Sequence, residues 1–218
     1  GELVARADGL PGLNSLRAQT ATALEIGSRG VAGRFHWDVA LYRSWLDHEL
    51  MEYEVLPGVT QTVNAGHTIH QGIEAALEVT LWGGFRLRQF YLLNDFRFDG
   101  DPVFGSNRMP GIPRHYYRME FLYEHPCGFY AGPNVEWVPE KYPVDSANTL
   151  YADPYALLGF RIGYRSQRGF SFFVEGRNLT DKRYAATTGV VARASSPEQA
   201  LFLPGDGRSF YAGIEWRW

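Results

Sequence analysis

The sequence predicts an all-β chain, specifically a transmembrane antiparallel β-barrel wall, and three observations predict it. The first is the ending. In residues 208–218, Phe210, Ala212, Ile214, Trp216 and Trp218 share one side of an extended strand, and Ser209, Tyr211, Gly213, Glu215 and Arg217 share the other. A strand with hydrocarbon on one flank and a polar lumen on the other has this pattern, with aromatics at the membrane interface. The second is strand length. The alternating segments reach or exceed the ~9–11 residues needed to cross a bilayer tilted, whereas ordinary strands average about five or six. The third is the connections, which alternate short and long as periplasmic turns and external loops do.

Composition agrees. The chain has 218 residues, a net charge of −3, and 15% aromatic residues, with thirteen Tyr, fourteen Phe and six Trp. Aromatic-rich runs broken by Gly and Pro favour strands. There is no basic excess to suggest nucleic acid. No apolar stretch is long enough for a transmembrane helix, and a mean hydropathy of −0.27 is compatible with a barrel, since only every second residue meets lipid. Cys127 is the single cysteine, so an internal disulfide is excluded. Gly1-Glu2-Leu3-Val4 has neither the basic region nor the apolar core of a signal peptide. An exported chain is therefore expected to have lost its signal or to be part of a longer one.

The elements follow in order. Residues 20–29 place Leu24 and Ile26 opposite Glu25 and Arg29, and 30–34 turn the chain. Residues 35–47 place Phe35, Trp37, Val39 and Leu41 opposite His36, Asp38, Ala40 and Tyr42. A loop is expected at 52–61 and a long strand at 63–82, where Ile69, Ile73, Leu77 and Val79 alternate with His70, Glu74 and Glu78. After Gly83-Gly84, residues 85–98 carry Phe85, Leu87, Tyr91 and Leu93 against Arg86 and Arg88. A Gly- and Pro-rich loop spans 99–113. Residues 115–124 and 129–138 form the next pair around Pro126-Cys127-Gly128, with Pro133 marking an edge or a bulge. A loop at 139–153, strands at 155–164 and 170–178, a long loop at 179–207 and the terminal strand complete the chain.

That makes nine strands. An odd number cannot close a simple antiparallel barrel, and an open edge in lipid leaves backbone groups unpaired at several kcal/mol each. The expectation is that residues 1–218 are the C-terminal portion of a larger barrel.

Five motifs, in order along the chain, resemble those of TonB-dependent outer-membrane receptors. Leu16-Arg17-Ala18-Gln19-Thr20 leading to Glu25-Ile26-Gly27-Ser28-Arg29 is similar to that family's strand entry. Val63-Asn64-Ala65-Gly66 followed by Gly72-Ile73-Glu74 resembles a second strand, and Gly111-Ile112-Pro113-Arg114-His115 a lead-in. Val174 to Tyr184, containing Asn178-Leu179-Thr180-Asp181, resembles a signature, and Pro204-Gly205-Asp206-Gly207-Arg208 the closing strand. Two positions depart from the pattern: Gln19 stands where an acid is usual, and Gly176-Arg177 where an apolar residue is common. The resemblance implies a 22-stranded barrel, an N-terminal plug, a box that engages the TonB complex, and a ferric siderophore or related metal complex as cargo. This sequence carries neither plug nor box.

The inward set is charged with both signs: Glu25, Arg29, His36, Asp38, Glu74, Glu78, Arg86, Arg88, Arg118, Glu120, Glu136, Arg161, Glu175, Arg177, Glu215 and Arg217. It reads first as a salt-bridged lumen wall. Cargo enters at the outer rim, where His48, Asn94, Phe96, Arg114 and Tyr116 are candidate ligand contacts, with Arg108, Tyr151 and Tyr53 in loops. Aromatics and arginines suit anionic, catechol- or carboxylate-rich ligands. No histidine spacing resembles a metal site, since His67 and His70 fall on opposite faces, so no resident metal or cofactor is expected. Phe210, Gly213, Ile214, Trp216 and Trp218 resemble the signal read by the barrel-assembly machinery. The leading expectation is an outer-membrane active transporter in contact with outer-membrane lipid. The alternatives are a complete small barrel, either a passive pore or a hydrolase with a His–carboxylate pair at its rim.

Overall fold

Alternation at period two makes each long segment amphipathic across its faces, and the segments pair in chain order. The computed structural model describes residues 2–5, 11–14, 16–56, 59–195 and 201–217. Trp218 lies outside the described residues. The strands of the main sheet are β1 (Thr20–Ala32), β2 (Phe35–Asp47), β3 (His67–Thr80), β4 (Phe85–Phe98), β5 (His115–Glu124), β6 (Phe129–Val138), β7 (Tyr155–Arg165), β8 (Phe170–Arg177) and β9 (Ser209–Trp216). Each is hydrogen-bonded to its neighbours in sequence, giving one nine-stranded antiparallel sheet from β1 to β9. The sheet is open: β1 and β9 do not pair with each other.

The register carries one face across all nine strands. Leu41 pairs Ile26 and Ile73, Ile73 pairs Leu93, Val135 pairs Met119 and Leu158, and Phe172 pairs Tyr164 and Ile214. Side chains directly opposite share a face, so the predicted apolar and charged sets separate without exception. The apolar face is not buried within the chain: Ile26 is 69% and Ile214 79% exposed. It carries an aromatic ladder, with Tyr91 stacked on Tyr117 at 4.6 Å and Tyr117 on Trp137 at 5.3 Å. On the other face Glu78 holds Arg88 at 2.6 Å, and Glu175 holds Arg161 at 2.8 Å and Arg177 at 2.9 Å.

Short turns continue the ladder at one end of the sheet. Gly128 has φ +99°, and a Cβ there would strike the Arg165 carbonyl, so only glycine fits. Its own carbonyl accepts the Arg165 N–H at 2.9 Å.

Four details differ from the sequence reading. β1 runs three residues past 29, because the tight turn needs only Gly33 and Arg34. The expected loop at 52–61 is a hairpin of Leu50–Leu56 and Val59–Asn64, and β3 starts at His67 rather than Val63. The hairpin's own alternating residues extend the same pattern, and period alone does not locate a break. Pro133 is neither at an edge nor in a bulge. β6 is internal, and its pairing with β5 resumes in the same register after a gap at Gly132-Pro133, between Ala131↔Tyr123 and Asn134↔Glu120. The missing proline N–H falls in that gap while pairing to β7 continues, Pro133 opposite Phe160.

The faces predict asymmetric tolerance to charge. Leu41→Arg, at mid-strand on the apolar face, is expected to cost ~2–4 kcal/mol in lipid, and Glu74→Arg on the opposite face far less. Denaturant unfolding in vesicles reads the difference. Equal costs would contradict the assigned faces.

Candidate functional site

The buried cores of this chain lie in the long connections, not in the sheet. One cluster joins Val138, Tyr142, Val144, Ala152, Val191 and Leu201, and a second joins Met51, Tyr53, Phe98 and Met109. These residues come from the connections after β2, β4, β6 and β8 and from adjoining strand ends. Small ladders stiffen them: the 50–64 hairpin, Tyr142–Pro143 against Tyr151–Ala152, and Ala185–Thr188 against Phe202–Pro204.

Polar groups bind the four connections into one cap. The Tyr53 and Ser146 hydroxyls share a hydrogen bond of 2.9 Å. Asn107 Nδ2 donates to the Ser146 carbonyl at 2.9 Å, and Asn148 exchanges two bonds with the Arg108 backbone at 3.0 and 2.9 Å. The Gly111 N–H donates to the Pro143 carbonyl at 2.8 Å and the Ser146 N–H to the Val191 carbonyl at 3.0 Å. Burial pushes the Tyr53 hydroxyl pKa up, so it stays protonated within this network.

Asp145 is the centre of the cap. It is fully buried. Its Oδ1 accepts the N–H groups of Thr149 at 2.7 Å and Leu150 at 3.0 Å, and its Oδ2 accepts the Thr149 hydroxyl at 2.5 Å and the Ala194 N–H at 3.1 Å. Burial alone raises a carboxyl pKa. Here the donors from Leu150, Thr149 and Ala194 outweigh it and hold Asp145 below the ordinary carboxylate value.

The motif residues turn out to be staples. Asn64 Nδ2 donates to the carbonyls of Arg17 at 3.0 Å and His48 at 2.7 Å. Gln19, which departs from the usual acid, accepts the Leu50 N–H at 2.9 Å, a job open to either side-chain oxygen. Asn178, with φ +47°, bonds Lys182 at both its N–H and carbonyl, 2.8 and 2.9 Å, and the Asp206 carbonyl at 3.0 Å. Asp181 Oδ1 accepts the Arg208 N–H at 3.0 Å. The two C-terminal motifs thus lock the turn after β8 to the lead into β9. Beside this staple, on the charged face, is a cavity of about 170 Å³ lined by Arg118, Glu136, Arg177, Tyr184, Asp206 and Tyr211, among others.

The sequence candidates scatter around this architecture. Asn94 and Phe96 both lie on the charged face near the cap. Asn94 Oδ1 accepts the Tyr42 hydroxyl at 3.2 Å, in space that a side chain at Gly72 would fill, and its Nδ2 donates to the Pro113 carbonyl at 3.1 Å. Phe96 stacks on His70 at 4.2 Å. Tyr116 packs against the first cap cluster. His48 follows β2 with φ +57° and contacts Arg17 at 3.2 Å. Arg108 serves the cap through its backbone and approaches Glu140 at 3.6 Å. Tyr151 is exposed and carries the Lys141 ammonium over its ring at 4.8 Å. Arg114 differs from the rest: its Nε is buried with no hydrogen-bond partner. Of these seven, Asn94 and Arg114 are brought together, the Asn94 N–H donating to the Arg114 carbonyl at 2.8 Å.

Three His–carboxylate pairs form among the described residues: Asp47 with His67 at 2.5 Å, which belongs to the strand parity of the apolar face, Glu49 with His70 at 3.2 Å on the charged face, and Glu140 with His115 at 4.0 Å. Among the described residues no three of His, Cys, Asp and Glu converge. Sequence reasoning missed Asp145, Ser146 and Asn148. The run Asp145-Ser146-Ala147-Asn148-Thr149 is a strong turn signal, but nothing local marks its burial by three other loops.

A family model described as TonB dependent receptor-like, beta-barrel, matches residues 3–179. Solved structures with a similar fold include the ferric-catecholate import receptor Fiu from K12 E. coli, closed form, at 19% identity and TM-score 0.63 over 99% of this chain and 29% of that one. The ferric yersiniabactin uptake receptor FyuA from Yersinia pestis is similar at 19% identity and TM-score 0.72, over 94% of this chain and 31% of that one. The copper transporter OprC is similar at 18% identity and TM-score 0.75, over 93% and 32%. The chain thus spans about three-tenths of the length of the solved receptors it matches. At these identities the structural likeness speaks to fold.

The cap has a pH signature. The Asp145 pKa is depressed in the folded state, so its contribution is present above the unfolded value of about 3.9 and is lost as pH falls through the folded value. Loop proteolysis and amide exchange across 142–152 and 189–195 are expected to stay slow at neutral pH and to accelerate below about pH 4. Asp145→Ala, leaving four donors unanswered, should open the same segments at pH 7, with a loss of several kcal/mol at ~1–3 kcal/mol per orphaned group. Equal protection in the variant would refute the keystone role.

Proposed function

The chain belongs to the TonB-dependent receptor β-barrel family, a family of receptors rather than enzymes whose place is the bacterial outer membrane, and from that premise we propose that it forms the C-terminal portion of the barrel of an importer for a ferric siderophore or similar metal complex, energised through the TonB system. The charged face is then the lumen wall, toward a plug, and the apolar face meets outer-membrane lipid. The observation that carries this reading is the family match over residues 3–179. The interlocked cap beside the charged face supports it, because a fixed rim positions ligand contacts without an ordering cost at each binding event. The similar solved proteins named above are two ferric-complex receptors and a copper transporter, which supports a metal complex as the cargo class.

Among the candidate contacts Arg114 is favoured. A buried guanidinium N–H without a partner is a donor held for an anionic or catecholate group. Uptake of radiolabelled ferric siderophores by intact cells tests the function, and Arg114→Ala tests the site. The expected result is ligand-dependent uptake whose apparent affinity falls about ten-fold or more in the variant, as for a hydrogen bond to a charged group, with outer-membrane amount unchanged. Absence of uptake for any ferric complex, in a strain where this protein is the sole receptor, would defeat the reading.

The ending of the chain fits the signal read by barrel-assembly machinery. Phe210, Ile214 and Trp216 stand on the apolar face and Gly213 on the other, where Phe173 fills the space a Cβ would take. Trp216→Ser or Trp218→Ser is expected to lower outer-membrane yield several-fold while leaving the affinity of assembled protein intact. Unchanged yield in pulse-chase assembly would remove that role.

A further inference from the structure

At the edge of the second cap cluster, around Met109, is a group of donors that neither the sequence motifs nor the importer reading uses. His70, on the charged face of β3, points its Nε2 at two atoms from other elements. One is the Met109 thioether, Sδ at 3.1 Å, from the connection after β4. The other is Glu49 Oε2 at 3.2 Å, from the turn after β2. A neutral imidazole has one N–H to give at Nε2 and cannot serve both well, and thioether sulfur is a weak acceptor.

Each of the three donors is held in place by a second contact. The His70 ring lies flat on Phe96, 4.2 Å between centroids and 5° between planes. The Glu49 carboxylate receives the hydroxyl of Thr68, which is 1% exposed. Met109 is fixed within the buried cluster of Met51, Tyr53 and Phe98. Thr68 and His70 meet the same oxygen, Glu49 Oε2, so this atom is oriented toward the imidazole, and donors oriented by neighbouring groups are a feature of metal sites.

We propose that His70, Met109 and Glu49 form a binding site for a soft monovalent metal ion, Cu(I), at the outer end of the charged face. Bonds of roughly 2.0 Å to nitrogen and 2.3 Å to sulfur put the N···S edge of a tetrahedral site near ~3.5 Å. The observed His70 Nε2···Met109 Sδ separation of 3.1 Å reaches that edge with an outward shift of a few tenths of an ångström, and the 3.2 Å from Nε2 to Glu49 Oε2 is close to the ~3.3 Å N···O edge of the same geometry. Thioether and imidazole together select copper over hard ions such as Fe(III) or Mg(II). The spacing 49, 70, 109 shows nothing in sequence, because three separate elements deliver the donors. The ion binds whether or not it is the transported cargo, so this assignment is independent of the importer reading.

The test uses the protein as the cell produces it, extracted from outer membranes in detergent and loaded with Cu(I) under ascorbate. The expected result is one bound copper with a sulfur scatterer at about 2.3 Å in X-ray absorption. Met109→Leu, a nearly volume-conserving change, should remove that scatterer and weaken Cu(I) binding at least ten-fold against a chelator. His70→Gln should weaken it similarly. Heat-modifiable gel mobility verifies that the variants fold. Copper that binds without a sulfur shell, binding unaffected by both variants, or no binding above the level of a His70→Gln, Met109→Leu double variant overturns the site. Because the exposed Cys127 thiol, beside His125 Nδ1 at 2.9 Å, would itself supply a sulfur shell, each measurement is repeated with Cys127→Ser. Should a Met109 or His70 variant fail to assemble, persistence of the sulfur shell in Cys127→Ser supports the site and its loss overturns it.

Discussion

Backbone hydrogen bonding inside a medium that offers none is the constraint on which this structure rests. Every N–H and C=O at membrane depth needs a partner within the sheet. The nine strands meet this by pairing strictly with their sequence neighbours. The ladder extends even into the turns, where the Gly128 carbonyl takes the Arg165 N–H and the Gly84 carbonyl takes the Glu124 N–H. The single gap, at Gly132-Pro133, falls where proline has no donor to lose. The same constraint makes the two open edges costly, so β1 and β9 require further strands as partners in lipid.

Satisfying the backbone this way fixes how the side chains divide. One face is hydrocarbon-compatible and remains largely exposed in the isolated sheet, so lipid, not a protein core, supplies its burial. The other face is charged with both signs, and the pairs are arranged in chains: Arg86 and Arg88 share Glu78, and Arg161 and Arg177 share Glu175. Where water reaches them such pairs contribute only ~0–1 kcal/mol each. Their worth lies in keeping the wall polar, with each shared carboxylate answering two guanidinium groups.

The ordinary hydrophobic core of the chain is displaced into the cap. Four connections that would otherwise be long and independent are tied together through Asp145, Ser146 and Asn148 and through two apolar clusters. A rim built this way presents fixed groups, among them the unpartnered Arg114 Nε and the His70–Met109–Glu49 group. Rigid loops also give the C-terminal motifs their meaning: Asn178 and Asp181 hold the entry to the last strand.

By itself the sequence determined the sheet. Period two placed the nine strands of the main sheet and the faces of their apolar and charged sets, because in a sheet the position along the chain dictates side-chain direction; it did not separate the 50–64 hairpin from β3. The turn glycines and the family motifs were legible for the same local reason. The tertiary structure alone decided the rim. Whether Asn94 is free or bonded to Tyr42, whether Asp145 is a solvated loop acid or a buried hub, and whether His70 meets sulfur depend on contacts between residues tens of positions apart. Those contacts have no period, and only the fold of four loops upon one another creates them.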